Sequence, residues 1–246
     1  MMTRRHGCGF TLIETLISCA LIAMLIGLLL PALGDVRRAS RRAVSTANLR
    51  SHAQIFAAYT GDWKDTYPYF TTATATSSVV RNPARDIAWV VPFFGAHLSW
   101  HIALADGYYE GDHTSRAFRP PSRGDVSPGY TAYWYPCAFI ASPAFWRPET
   151  REGPHQRGPT RVDQVLFSSS KALLVESDVV VPNEHVQLRP RINAACTDGS
   201  AADRDSALTH GTAYGGADGP WQGAMHGAWW PPVHHTIGGV AGRDFR

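Results

Sequence analysis

Cysteine is scarce in this chain: four in 246 residues, too few for the disulfide frameworks that hold small secreted domains together. The common catalytic signatures are missing as well. There is no G-x-S-x-G, no H-E-x-x-H, no C-x-x-C and no P-loop, so the usual hydrolase, zinc and nucleotide motifs are excluded. Most of the length also lacks a basic surplus. Net charge is +3, but residues 1–50 hold seven Arg against Glu14 and Asp35, which leaves 16 basic and 18 acidic side chains for the rest. A nucleic-acid-binding body would carry its positive charge on itself, so nucleic acid is not the expected partner. A basic surplus beside an apolar run suits the anionic head groups of membrane lipids better. No internal repeat is present.

What is present begins with "GCGFTLIETLIS", Gly7 to Ser18. Residues 1–9 form a short basic leader. Phe10 to Leu33 is then apolar, interrupted only by Thr11, Glu14, Thr15, Ser18, Gly27 and Pro31. At about 1.5 Å per residue the run spans roughly 36 Å as a helix, enough to cross a bilayer core. Two other readings compete. A secretory signal peptide would use Arg4 and Arg5 as its basic region, but the run is long and no A-x-A site follows it. A lipoprotein signal would use Leu16–Cys19, but most of the apolar region follows that cysteine. Glu14 is the feature that needs explaining. A charge at the centre of a membrane helix costs about 2.5–3.5 kcal/mol on insertion scales, so a carboxylate there needs a partner.

Past Gly34 the pattern continues. Val36, Ala39, Ala43 and Ala47 recur at steps of three and four, Ile55, Phe56 and Tyr59 resume the stripe, and Arg37, Arg38, Arg41 and Arg42 fall elsewhere. This predicts an amphipathic extension over residues 34–60, ending near Gly61, with a kink or local unwinding at Pro31 and Gly34. From residue 61 to 246 the composition changes. All eight Trp lie there, with 16 of the 17 Pro and 18 of the 22 Gly, which predicts many turns and short strands. The strand signals are "AWVVPFF" (Ala88–Phe94), "RVDQVLF" (Arg161–Phe167) and "KALLVESDVVV" (Lys171–Val181). Ser168–Ser170 would join the last two as an antiparallel hairpin. Thr71–Ser78 and Pro148–Pro159 read as loops, and the tail from Asp198 has no clear periodicity. The expected fold is α+β: a long membrane-anchored N-terminal helix packed on a small antiparallel sheet, with a loop-rich C-terminal region.

Gly9-Phe10-Thr11-Leu12-Ile13-Glu14 resembles the prepilin processing motif of type IV pilins and type II secretion pseudopilins. The resemblance implies that a prepilin peptidase cuts between Gly9 and Phe10 and that the new Phe10 amine is methylated. It implies a role for Pro31 in loosening the helix. It also implies that Glu14 pairs with the Phe10 amine of a neighbouring subunit. Each copy then carries both halves of a head-to-tail contact, which generates a helical filament. The alternative for Glu14 is a carboxylate that snorkels to the interface. Charge alone would place the Arg37–Arg42 side inside the cell, whereas the resemblance implies a cytoplasmic leader, a single inner-membrane span and a periplasmic body. Asn48–Arg50, "YTGDWKDTYP" and "KALLVESD" are similar to pseudopilin-like proteins of planctomycete-type bacteria, which often carry a C-terminal His-x9-Asp-Gly. Here His210 precedes Asp218-Gly219 by seven intervening residues, a departure from that pattern.

The remaining candidates are weaker. Cys137 and Cys196 are the only cysteines in the body; export would allow a bridge between them, and otherwise both are buried thiols. His226, His234 and His235 match no ligand spacing and read as packing residues near Trp. Asp198, Asp203 and Asp205 could offer oxygen ligands to Ca²⁺, as in pseudopilins whose C-terminal loop is ordered by calcium, but the spacing is not that of an EF-hand. No other cofactor is expected. The leading expectation is a structural, non-enzymatic subunit of a pilus or secretion pseudopilus. Its partners would be prepilin peptidase, other pilin-like subunits and membrane lipid. The rival is a membrane-tethered exported module that binds or catalyses through its Trp- and His-rich body.

Overall fold

The computed structural model describes residues 11–70, 77–92, 95, 98–121, 129–176, 191–210 and 233–246. Contacts divide the chain into two units, Met1–Arg41 and Arg42–Arg246. The first helix, α1, runs Leu12–Asp62 and contributes its first part to one unit and its last part to the other.

In the first unit every side chain from 12 to 33 is exposed. This is the one helix among the described residues long and apolar enough to cross a membrane. The chain stays helical through Pro31 and Gly34, so the local unwinding expected there does not occur. Proline removes one backbone hydrogen bond, to the carbonyl of Gly27, and the Leu- and Ala-rich turns on either side hold the rest.

The second unit begins with the end of α1. Its buried positions are Ser45, Leu49, His52, Ala53, Phe56 and Thr60, a single face at helical spacing. The expected stripe holds at Phe56 but not before it: Val36, Ala39, Ala43 and Ala47 are exposed, and three polar residues, Ser45, His52 and Thr60, take core positions. The helix ends at Asp62, beside Gly61 as expected; Lys64 and Asp65 turn the chain away, both left-handed with φ 52° and 58°, and the Asp65 N–H returns to the Thr60 carbonyl at 2.8 Å.

A hairpin follows, β1 (Ser77–Asn82) and β2 (Ile87–Pro92), turned by Pro83–Arg85 and a left-handed Asp86. Ser77 and Ser78, expected in a polar loop, pair with Pro92 and Val91. Helix α2 (Trp100–Tyr108) covers the hairpin, and Ile102 packs with Val80 and Val91.

The main sheet is antiparallel in the order β3 (Tyr133–Trp134), β4 (Ala172–Glu176), β5 (Arg191–Cys196) and β6 (Ala201–Asp205). The strand expected at Arg161–Phe167, and hence the hairpin across Ser168–Ser170, is absent. Val162–Gln164 is instead a short 3-10 turn whose Gln164 side chain accepts the Arg161 N–H at 2.9 Å. Such local side-chain bonds compete with a ladder. β4 pairs with the distant β3 and β5. Apolar clusters form on both sides of this sheet. Leu174 and Ala195 join Leu49, Phe56, Trp100 and Tyr135, while Val175, Ile192 and Cys196 join Val233 and Phe245. Residues 201–205, expected in an irregular acidic loop, are strand β6.

Candidate processing and assembly site

Glu14 has a partner within its own helix. Its Oε2 accepts the Thr11 N–H at 2.8 Å and the Thr11 hydroxyl at 2.9 Å, and its own N–H returns to Thr11 Oγ1 at 3.3 Å. This reciprocal arrangement is a capping box, which satisfies amide groups left open at a helix start. Its signal in the sequence is Thr11-x-x-Glu14 ahead of an apolar run. Thr15 and Ser18 also satisfy their hydroxyls on the helix, bonding the carbonyls of Thr11 and Glu14 at 3.2 and 2.7 Å. The carboxylate is exposed. Gly9 and Phe10 lie outside the described residues.

Within the second unit, the last part of α1 is locked to the sheet by buried polar groups. Ser45 Oγ lies 3.1 Å from the Tyr133 hydroxyl and donates to Glu176 Oε2, which also accepts the Asn193 side-chain N–H at 2.6 Å. Asn48 reaches the same Tyr133 hydroxyl at 3.3 Å. Burial, first, and the nearby Glu176 charge push the Tyr133 phenol up to about 12, against the pull of its Ser45 and Asn48 bonds. At the sheet edge Asp203 takes Arg191 at 2.8 Å and faces Arg42 at 3.7 Å.

One turn along, His52 is enclosed by rings. Phe118 stacks on it at 5.3 Å, and Trp100, Tyr109 and Tyr133 stand within 6 Å. Its Nε2 is 2.8 Å from the Ala117 carbonyl, which only accepts, so Nε2 carries the proton. Nδ1 then accepts from the Tyr109 hydroxyl at 2.8 Å. Burial lowers the imidazole to about 4, although the Ala117 bond works the other way.

The other sequence candidates do not assemble into a site. Cys137 and Cys196 are not bridged to each other: they are buried in two different clusters, one on each side of the sheet. Burial raises both thiols, Cys196 to about 11. The three candidate calcium ligands are each engaged separately. Asp198 accepts the Ser200 N–H, Asp205 accepts the Ala207 N–H, and Asp203 holds Arg191. Among the described residues no group of three or more His, Cys, Asp or Glu is arranged to hold a metal ion. His234 and His235 are packing residues against Trp134 and Trp146, at 4.9 and 5.2 Å between ring centres. His226, Asp218 and Gly219 lie outside the described residues.

Residues 4–30 match the family described as the prokaryotic N-terminal methylation motif. The match brackets Gly9, Phe10 and Glu14 and ends inside α1, so it characterises the N-terminal segment alone. Over that segment the chain is type IV pilin- and pseudopilin-like, and it carries a prepilin-type motif leading into an apolar helix suited to membrane anchoring. The match does not extend to the C-terminal signature. No curated protein and no solved structure matches the chain.

Proposed function

We propose that this chain is a prepilin: cut by prepilin peptidase between Gly9 and Phe10, methylated on Phe10, and assembled through its N-terminal helix into a pilus or secretion pseudopilus. It is a structural subunit, not an enzyme. Its body lies on the periplasmic side of the inner membrane, and its partners are the peptidase, other pilin-like subunits and membrane lipid. The observation that carries this reading is the methylation-motif match at residues 4–30, which runs directly into a helix whose side chains from 12 to 33 are all exposed. Apolar side chains left uncovered over that length call for lipid first and neighbouring helices afterwards. The antiparallel sheet packed on the last part of α1 supports a subunit over a tethered enzyme or binding module.

Mass spectrometry of the mature N-terminus tests the proposal. Methylated Phe10 is expected from the wild type, and Gly9→Val should leave uncut precursor. A native terminus retained at Met1, or one beyond Leu33, rules it out.

A further inference from the structure

Lys171 and Asp244 are withdrawn from solvent, at 0% and 1% exposure, and they face each other. Lys171 Nζ lies 3.0 Å from Asp244 Oδ2 and 3.2 Å from Oδ1. The near-equal distances set the nitrogen against the carboxyl group as a whole. Thr236, itself buried, joins the two: Nζ donates to its Oγ1 at 2.7 Å, and that hydroxyl donates to Asp244 Oδ1. On the other side the Ala172 N–H donates to Oδ2 at 2.8 Å. The segment is pinned in place, because the N–H groups of Asp244 and Phe245 both reach the Ser170 carbonyl, at 3.0 and 3.1 Å. Phe139 lies 5.7 Å from Nζ and helps keep water out.

An ion pair this deeply buried costs several kcal/mol per charge in lost hydration. Burial pushes the lysine down and the aspartate up, so both are driven toward their neutral forms. A proton passing from Nζ to the carboxyl group leaves a free amine facing a carboxylic acid. Among the described residues the other ion pairs use Arg or His, and none has both side chains buried.

We propose that Lys171 and Asp244 condense into an intramolecular isopeptide bond. The Nζ lone pair attacks Asp244 Cγ, forming the N–C bond, and charge develops on Oδ2, where the Ala172 N–H stabilises it. The attacking nitrogen gives a proton to Thr236 Oγ1, which passes its own to Oδ1. The Cγ–Oδ1 bond then breaks and Oδ1 departs as water. No oxidant, metal or second molecule is needed: amine and acid become amide and water. Nζ already lies 3.0 and 3.2 Å from the two carboxyl oxygens, so the pair is held together and bond formation needs no diffusional encounter. The bond ties the start of β4 to the segment that closes the second apolar cluster.

The test is the mass of the purified, denatured wild-type chain and of its tryptic peptides. The expected result is a mass lower by one water, no cleavage after Lys171, and a Lys171-containing peptide joined to residues 244–246. Lys171→Met should restore the full mass. Thr236→Val, followed by pulse-chase after synthesis, should slow bond formation on the order of a hundredfold, the usual scale for a positioned proton carrier. A wild-type chain of full mass, cut normally after Lys171, overturns the proposal, and so does a water loss without the linked peptide. An unchanged rate in Thr236→Val removes the relay.

Discussion

Ser45 on α1 donates a hydrogen bond to Glu176 on β4, 131 positions along the chain, and both side chains are buried. This bond, with the Asn193 amide on β5, satisfies a carboxylate beneath the helix. Ser45→Ala leaves Glu176 short of one donor and should destabilise the fold by about 1–3 kcal/mol. The measurement is the urea midpoint at unchanged slope. Combined with Glu176→Gln the losses should be less than additive, since both changes break one contact. Strict additivity would mean that the two residues act separately.

The capping box at Thr11 and Glu14 sharpens a test of assembly. Glutamine can still accept the Thr11 N–H through its amide oxygen, so Glu14→Gln keeps the cap and deletes only the charge. Processing at Gly9 should continue, while sheared, sedimentable fibre should fall well below the wild-type fraction, because an ammonium left unpaired in a low-dielectric setting is costly. Glu14→Ala loses both cap and charge and should assemble no better. Full assembly by Glu14→Gln would leave the carboxylate with its capping role alone.

His52 predicts acid sensitivity. Its folded value of about 4 lies below the ordinary 6.5, so between those limits the unfolded chain binds a proton that the folded chain does not. The stabilisation is complete above pH 6.5 and is lost as pH falls through about 4, a total of roughly 3 kcal/mol at about 1.4 kcal/mol per unit. His52→Gln keeps a donor for Ala117 and an acceptor for Tyr109 without titrating. Its stability should fall less steeply than the wild type's over that window. Parallel pH profiles for the two proteins would refute the assignment.

The thiols should be quiet. Cys137 and Cys196 are buried, with raised thiol values, so native alkylation should leave both unlabelled and denaturation should expose them. Mapping without reductant should find no peptide linking them. A linked peptide would contradict their placement in separate clusters.

Local features were legible in the sequence. The apolar run, its helix, the processing motif and the α+β class all follow from residues within a few positions of one another, where helical period and motif spacing are set. Strand β2 and the first part of the "KALLVESD" strand were legible too, as short apolar β-branched runs. Strands β5 and β6 were not. "RINAAC" carries little β-branched character and "AADRD" reads as a loop; each becomes a strand because a neighbour supplies its ladder.

The sequence by itself determined that there is a membrane-type helix with a prepilin motif, because helix and motif depend on contacts three and four residues apart. Only the tertiary structure decided which face of the continuing helix is buried. Ala43 and Ala47 were the apolar choice, yet Ser45 and His52 face inward, because Glu176, Tyr109 and the Ala117 carbonyl wait there to bond them. The separation of Cys137 from Cys196 and the meeting of Lys171 with Asp244 were decided the same way. Each depends on partners tens of residues away, and a buried polar group is placed where its partner is, whatever its own hydropathy suggests.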